Sequence, residues 1–280
     1  PEDAAFPRPT ERTTALNHPV LQQRLTARKL ASLVRPVKGG EDEFVREAAD
    51  RARDFAEAQG ERRVAVMVNR VATAERIADR LGKRMSDSAQ IVLLTGRMRP
   101  LDRDTLVERW ESILKAGSAE SPPKPVIVVT TQCLEVGADF SFDALITECA
   151  SLDALRQRFG RLDRLGDRGK SPAVILIREQ DARAPKDEAA DPIYGKAIYE
   201  TWQWLNEPDQ RNGDGCVNFG IEAMDARVNA LRERAEERLE RLLAPTSDAP
   251  ILLPAHLDLL CQTSPHPAPE PDVALFLHGK

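Results

Sequence analysis

The sequence predicts an α/β fold: a mostly parallel sheet with helices packed on both faces, and further helices at its flanks. Three observations carry this. Five short runs are almost wholly apolar and rich in Val and Ile: V-A-V-M-V (64–68), I-V-L-L (91–94), V-I-V-V (126–129), A-L-I-T-E (144–148) and V-I-L-I (174–177). Such runs mark strands buried on both faces, as in parallel sheets. Segments with helical periodicity separate them, which implies right-handed βαβ units in three layers. The chain has 280 residues, 41% hydrophobic and 30% charged, enough apolar material for a sizeable core in a soluble protein.

Taken in order, residues 1–19 are rich in Pro and Thr and read as a linker between lobes. Residues 20–60 read as a helical lead-in. One helix is predicted from about Val20 to Val34, on the spacing of Leu21, Leu25, Leu30 and Leu33, and Gly39-Gly40 ends it. A second runs from about Glu41 to Gln59. Residues 61–180 hold the five strands, with helices predicted at Ala72 to Arg84, Leu101 to Lys115 and Leu152 to about Leu162. Residues 181–244 read as a helical extension: a charged loop, a helix from Pro192 to Leu205, then a single long helix. Ile221, Met224, Val228, Leu231, Ala235, Leu239 and Leu242 mark the apolar stripe of that helix. Residues 245–280 are punctuated by proline and read as an extended tail, and the chain reads as a piece of something longer.

Composition narrows the function. A formal net charge of −5 excludes a uniformly basic nucleic-acid coat but leaves room for a local basic face. The excess of Arg over Lys suits bidentate phosphate contacts, or reflects genome composition. Cys133, Cys149, Cys216 and Cys261 form no C-x-x-C pair, so neither a zinc site nor a disulfide framework is expected, and a reducing compartment fits. No run spans a membrane and no signal peptide is visible.

Ligands of parallel α/β sheets bind beyond the carboxyl ends of strands. Asn69 and Arg70 follow the first predicted strand, T-G-R-M-R-P-L-D-R (95–103) the second, and T-T-Q-C-L-E-V-G-A-D (130–139) the third. After the fourth comes a segment containing Q-R-F-G-R-L-D-R (157–164). Hydroxyls, amides, glycines and arginines are thus expected along one edge. Two further stretches are discounted. G-D-R-G-K-S (166–171) has the wrong glycine spacing for a phosphate loop and precedes a strand. D-E-A-A-D (187–191) carries one residue too many for a DEAD box.

Together these segments resemble the second RecA-like lobe of superfamily 2 helicases, over about residues 64–178. V-M-V-N (66–69) is similar to motif IV and T-T-Q-C-L-E-V-G-A-D to motif V, while Q-R-F-G-R-L-D-R fits the motif VI pattern Q-R-x-G-R-x-x-R. L-E-V-G-A-D-F-S-F-D-A-L-I-T-E (134–148), the 95–103 segment and L-P-A-H-L-D (253–258) resemble the helicase–nuclease of type I CRISPR interference.

The resemblance implies a RecA-like three-layer domain working as half of an ATP-driven DNA motor in the bacterial cytoplasm. ATP and Mg would be bound mainly by a first lobe. Arg161 and Arg164 match the catalytic arginine fingers, one turn apart on a helix. Gly137, Asp139, Gln157 and Arg158 match nucleotide-contacting positions, although Arg158 also reads as an internal anchor. Asn69, Thr95, Gly96, Arg97, Thr130, Thr131 and Gln132 match the track for nucleic acid. The implied partners are single-stranded DNA, the first lobe, a nuclease domain and a guide-RNA surveillance complex. No metal ligand is assigned in this chain: no H-D dipeptide occurs, and His18, His256, His266 and His278 lie in linker-like or terminal stretches. On the residues alone, the arginines also fit an ion-paired surface helix with Asp153, Asp163 and Asp167, and Trp202 and Trp204 fit either base stacking or a core. Two alternatives stay open: another superfamily 2 helicase acting on RNA or DNA, and a non-catalytic binding module with a helicase-lobe fold.

Overall fold

A computed structural model describes residues 16–134, 139–185 and 191–245. Among the described residues, seven strands form one sheet in the order β3-β4-β2-β5-β6-β1-β7. The strands are β1 (Arg28–Leu33), β2 (Arg63–Met67), β3 (Gln90–Leu94), β4 (Val126–Thr130), β5 (Ala144–Glu148), β6 (Lys170–Leu176) and β7 (Val217–Asn218). All neighbours pair in parallel except β7, which runs antiparallel to β1. Every residue of β4 and β5 is buried, as their unbroken apolar runs require.

Alternation along the strands divides the core. Val64, Val66, Ile127, Val129, Ala144 and Ile146 face α2 (Gly40–Arg53) and α3 (Val71–Met85), meeting Phe44, Ile77 and Leu81. Ala65, Met67, Val128 and Leu145 face the other layer. That layer holds α4 (Pro100–Leu114), α5 (Leu152–Phe159), α6 (Ala197–Leu205), α7 (Ile221–Arg234) and α8 (Glu236–Leu242). Trp202 and Trp204, 6% and 1% exposed, belong to this core.

Three departures from the sequence reading are physical. The segment predicted as one helix from Val20 to Val34 is a short helix, α1 (Pro19–Thr26), followed by strand β1. Leu21 and Leu25 are only half-buried, whereas Leu30 and Ala31 are fully buried. Pairing with β6, from Arg28 with Lys170 to Leu33 with Ile175, satisfies an otherwise open sheet edge and overrides local spacing. β7 has no counterpart in the predicted strands, being two residues long. The long C-terminal helix breaks at Ala235 (φ −158°, ψ 59°), so that α8 folds back on α6. There Leu239 and Leu242 are buried, and Thr201 Oγ1 donates to the Leu242 carbonyl over 3.3 Å.

Candidate nucleotide and nucleic-acid sites

Helix α5 buries Leu152, Leu155 and Phe159, spaced three and four apart on one face. It leaves the carboxyl end of β5 and runs back along the sheet. Eight residues at 1.5 Å each carry its far end roughly 12 Å toward the amino ends of the strands. Gly160 closes the helix, where a Cβ would sit 3.0 Å from the Gln157 carbonyl oxygen.

The arginines therefore lie in a turn, not on the helix as expected, and not at the carboxyl edge. The Phe142 N–H donates to the Arg161 carbonyl over 2.9 Å, and the Asp163 N–H to the Phe142 carbonyl over 2.9 Å. Arg164 N–H donates to Ser141 Oγ over 3.1 Å. Asp163 takes a left-handed conformation (φ 42°) to make this reversal. Arg161 is buried, with Nε donating to the Leu134 carbonyl over 2.9 Å. Burial pulls its pKa down, the neighbouring Arg164 pulls the same way, and Asp139 opposes them. Arg164 Nε pairs with Asp139 Oδ1 at 2.8 Å, its side chain 30% exposed. Gln157 is exposed on the last turn of α5. Gly137 lies outside the described residues.

The second group does collect at the carboxyl edge. Thr130 and Thr131 are buried behind the end of β4, with Thr130 Oγ1 3.3 Å from Cys133 Sγ. Gln132 Nε2 donates to the Asn69 carbonyl over 3.1 Å. Thr95 is buried after β3, while Gly96 and Arg97 are exposed. Asn69 is 7% exposed: its N–H donates to Glu148 Oε2 (2.8 Å) and its Nδ2 to the Cys149 carbonyl (2.9 Å). Gly96, Arg97 and part of Gln132 thus present the reachable surface of the candidate track, and the buried residues back them.

Arg158 departs from the nucleotide-contacting expectation. It is fully buried, and its guanidinium donates to Thr147 Oγ1, the Glu148 carbonyl, Asn69 Oδ1 and Tyr194 OH at 2.9–3.1 Å. A guanidinium spent on four internal acceptors is an anchor between helix and sheet. Asp163, one candidate surface partner of the arginines, is 3% exposed and held in the turn.

With this geometry in place, residues 60–167 match the family model described as CRISPR-associated nuclease/helicase Cas3, C-terminal. The matched stretch is similar to the C-terminal helicase region of Cas3. The endonuclease/helicase Cas3 of Thermus thermophilus is 30% identical over 189 residues, 62% of this chain and 20% of that protein. The helicase Cas3 of Thermoproteus tenax is 41% identical over 85 residues, 28% of this chain and 15% of that protein. The chain thus spans a fifth or less of these relatives. The crystal structure of T. fusca Cas3-ADP superposes with a TM-score of 0.55 at 23% identity, over 77% of this chain and 26% of that one. A chain of a CRISPR RNA-guided surveillance complex, pre-nicking, gives 0.51 at 21% identity, over 77% and 28%. The two structural likenesses are likenesses of fold, the RecA-like lobe.

Further residues, outside the candidate site residues, support the geometry around them. Glu148 bridges Asn69 and Arg178, accepting from Arg178 Nε over 2.9 Å. Burial acts to lower the Arg178 pKa, and Glu148 and Glu41 more than offset it, so the guanidinium stays firmly charged. Tyr194, from the extension, caps Arg158. Lys29, on β1, is 3% exposed and donates from Nζ to the Phe159 carbonyl over 2.8 Å. A strand-end glutamate was visible in the sequence; the pairing of β1 that brings in Lys29 was not. Among the described residues no cluster of His, Cys, Asp and Glu could hold a metal ion, and no helix is long and apolar enough to cross a membrane.

Proposed function

We propose that this chain is the second motor lobe of an ATP-dependent translocase on single-stranded DNA in CRISPR interference. In this reading residues 1–19 link it to a first lobe carrying the phosphate loop and the Mg-binding carboxylates. A nuclease domain and a guide-RNA surveillance complex complete the cytoplasmic assembly. The observation that carries the reading is the separation of two groups. Gly96, Arg97 and Gln132 stand at the carboxyl edge of the sheet, and Arg161, Arg164, Asp139 and Gln157 gather at the far end of α5. A motor needs two such surfaces, one following the strand and one facing the nucleotide.

ATP, when bound, supplies the phosphoanhydride bond whose cleavage drives movement. Arg161 and Arg164 fit its triphosphate: both guanidiniums sit on one short turn, fixed by backbone contacts on either side. A preset positive charge is worth most in a water-excluded cleft, where charge grows in the transition state. Fingers of this kind contribute roughly 10³–10⁵ in rate. Asp139 holds Arg164 near the surface until the lobes close. Backbone and side-chain groups at the carboxyl edge contact phosphates, which fixes position and not sequence.

The test is DNA-stimulated ATPase activity of residues 16–245 alone and of the protein carrying both lobes. Turnover is expected only with both. Stimulated turnover by the single chain that survives repurification contradicts a shared site.

A further inference from the structure

We propose that Lys29 is a positioning residue for Arg161 and Arg164: its ammonium, by holding the Phe159 carbonyl, sets the turn that follows α5. This rests on the finger reading above and adds a residue that no motif contains.

Lys29 sits on β1, far from the turn in sequence. Its backbone is fixed by β7 on one side, with its N–H donating to Asn218 Oδ1 over 3.0 Å and its carbonyl accepting from the Phe219 N–H over 2.8 Å. Phe219 stacks on Phe159, ring centroids 3.9 Å apart. The lysine side chain is buried, and its head reaches the last carbonyl of α5. A cation there also meets the negative end of the helix.

A buried ammonium is costly, and a methionine of similar volume would fill the same space without that cost. Its one hydrogen bond goes to the residue immediately before Gly160, where the direction of the turn is decided. Asp163, inside the turn, adds a second reason. It is 3% exposed, its Oδ2 has no hydrogen-bond partner among the described residues, and it attracts Lys29. Lys29 thus holds the entry to the Gly160–Asp163 reversal by a hydrogen bond, and Asp163 attracts it from within the turn.

The charge is poised to titrate. Burial pushes the Lys29 pKa down to about 8; Asp163 acts to raise it, and Arg24 of α1 and Arg164 act to lower it. Asp153 and Arg156 of α5 and Asp225 of α7 line the same cavity of about 370 Å³, Arg156 being paired with Asp225 at 2.5 Å. Loss of the proton leaves an amine that still donates to the carbonyl but no longer attracts Asp163.

The experiment is steady-state ATPase kinetics of the protein carrying both lobes, with single-stranded DNA, as a function of pH. Lys29→Met is expected to lower kcat about tenfold with KM for ATP moving less than about twofold, the signature of a group acting on the transition state. The parent is expected to lose kcat through a limb near pH 8 that the Met variant lacks. A Met variant with the parent's kcat and the parent's alkaline limb, while Arg161→Ala is inactive, overturns the proposal and leaves the motor reading standing. Normal turnover in both Arg161→Ala and Arg164→Ala overturns the reading beneath it. Should Lys29→Met melt below the assay temperature, Lys29→Gln carries the same two readouts, and a normal kcat with an unchanged limb again overturns the proposal.

Discussion

Arg158 Nη2 donates to Asn69 Oδ1 over 2.9 Å, tying the helix that precedes the arginine turn to the end of the strand that begins the proposed nucleic-acid edge. Both residues are buried, so the contact is worth most through what its loss would orphan. Arg158→Ala takes the guanidinium donor from Asn69 Oδ1, Thr147 Oγ1 and the Glu148 carbonyl together, of which the last two keep the hydrogen bond from Thr147 Oγ1 to that carbonyl. A loss of about 3 kcal/mol or more is expected in urea unfolding. Arg158→Lys is expected to recover little, lacking the planar fork. A shift below about 0.5 kcal/mol for Arg158→Ala would mean that the network is not holding the lobe.

Much of this was readable because the central strands are buried on both faces. Val64–Met67, Val126–Val129 and Ala144–Ile146 have no polar alternative, so position and partner type follow directly from sequence. β1 was not, because Leu30 and Leu33 fit a helical spacing as well as a strand. Only the edge of β6, remote in sequence, decides between them. The break at Ala235 was hidden for a related reason. The apolar stripe is continuous from Ile221 to Leu242, and the requirement that α8 pack on α6 is tertiary. The motifs named the arginines, but their level in the fold depended on where α5 ends, which Gly160 and Asp163 set.

The folding back of α8 has its own consequence. Leu242 is 1% exposed and Leu101 is 75% exposed. Leu242→Ala is expected to cost about 2–5 kcal/mol, the range for core leucines. Leu101→Ala is expected to stay within about 0.5 kcal/mol. Chemical denaturation of the two variants checks this; equal effects would argue against α8 as part of the core.

Stability should respond to Lys29 with a defined sign. Its pKa in the folded chain is about 8, below the ordinary 10.5. Between those values the unfolded chain binds the extra proton, so this residue makes stability rise with pH across that window. Below pH 8 the amine is charged in both states and burial is a standing cost. The difference in melting temperature, parent minus Lys29→Met, should therefore grow from pH 7 toward pH 10. A flat difference would show that the amine is not titrating in the folded chain.

Single-strand binding by residues 16–245 is expected to be weak, independent of sequence and lost with added salt, since the proposed track holds the strand through its phosphates. Arg97→Ala should weaken it uniformly and lower the salt slope by about 1. Fluorescence anisotropy over a salt series, on several oligonucleotides, measures both. Sequence-selective binding that persists in high salt would favour a recognition module over half of a motor track.

The most direct measurement is steady-state ATPase kinetics of Arg161→Ala and Arg164→Ala in the protein carrying both lobes, with thermal melts alongside. The expected result is a fall in kcat of roughly 10³ or more in each, with little change in KM for ATP. Arg161→Lys should not restore it, because an ammonium lacks the bidentate geometry. Near-normal turnover in both alanine variants, in protein that melts like the parent, would contradict the assignment of this turn to the nucleotide.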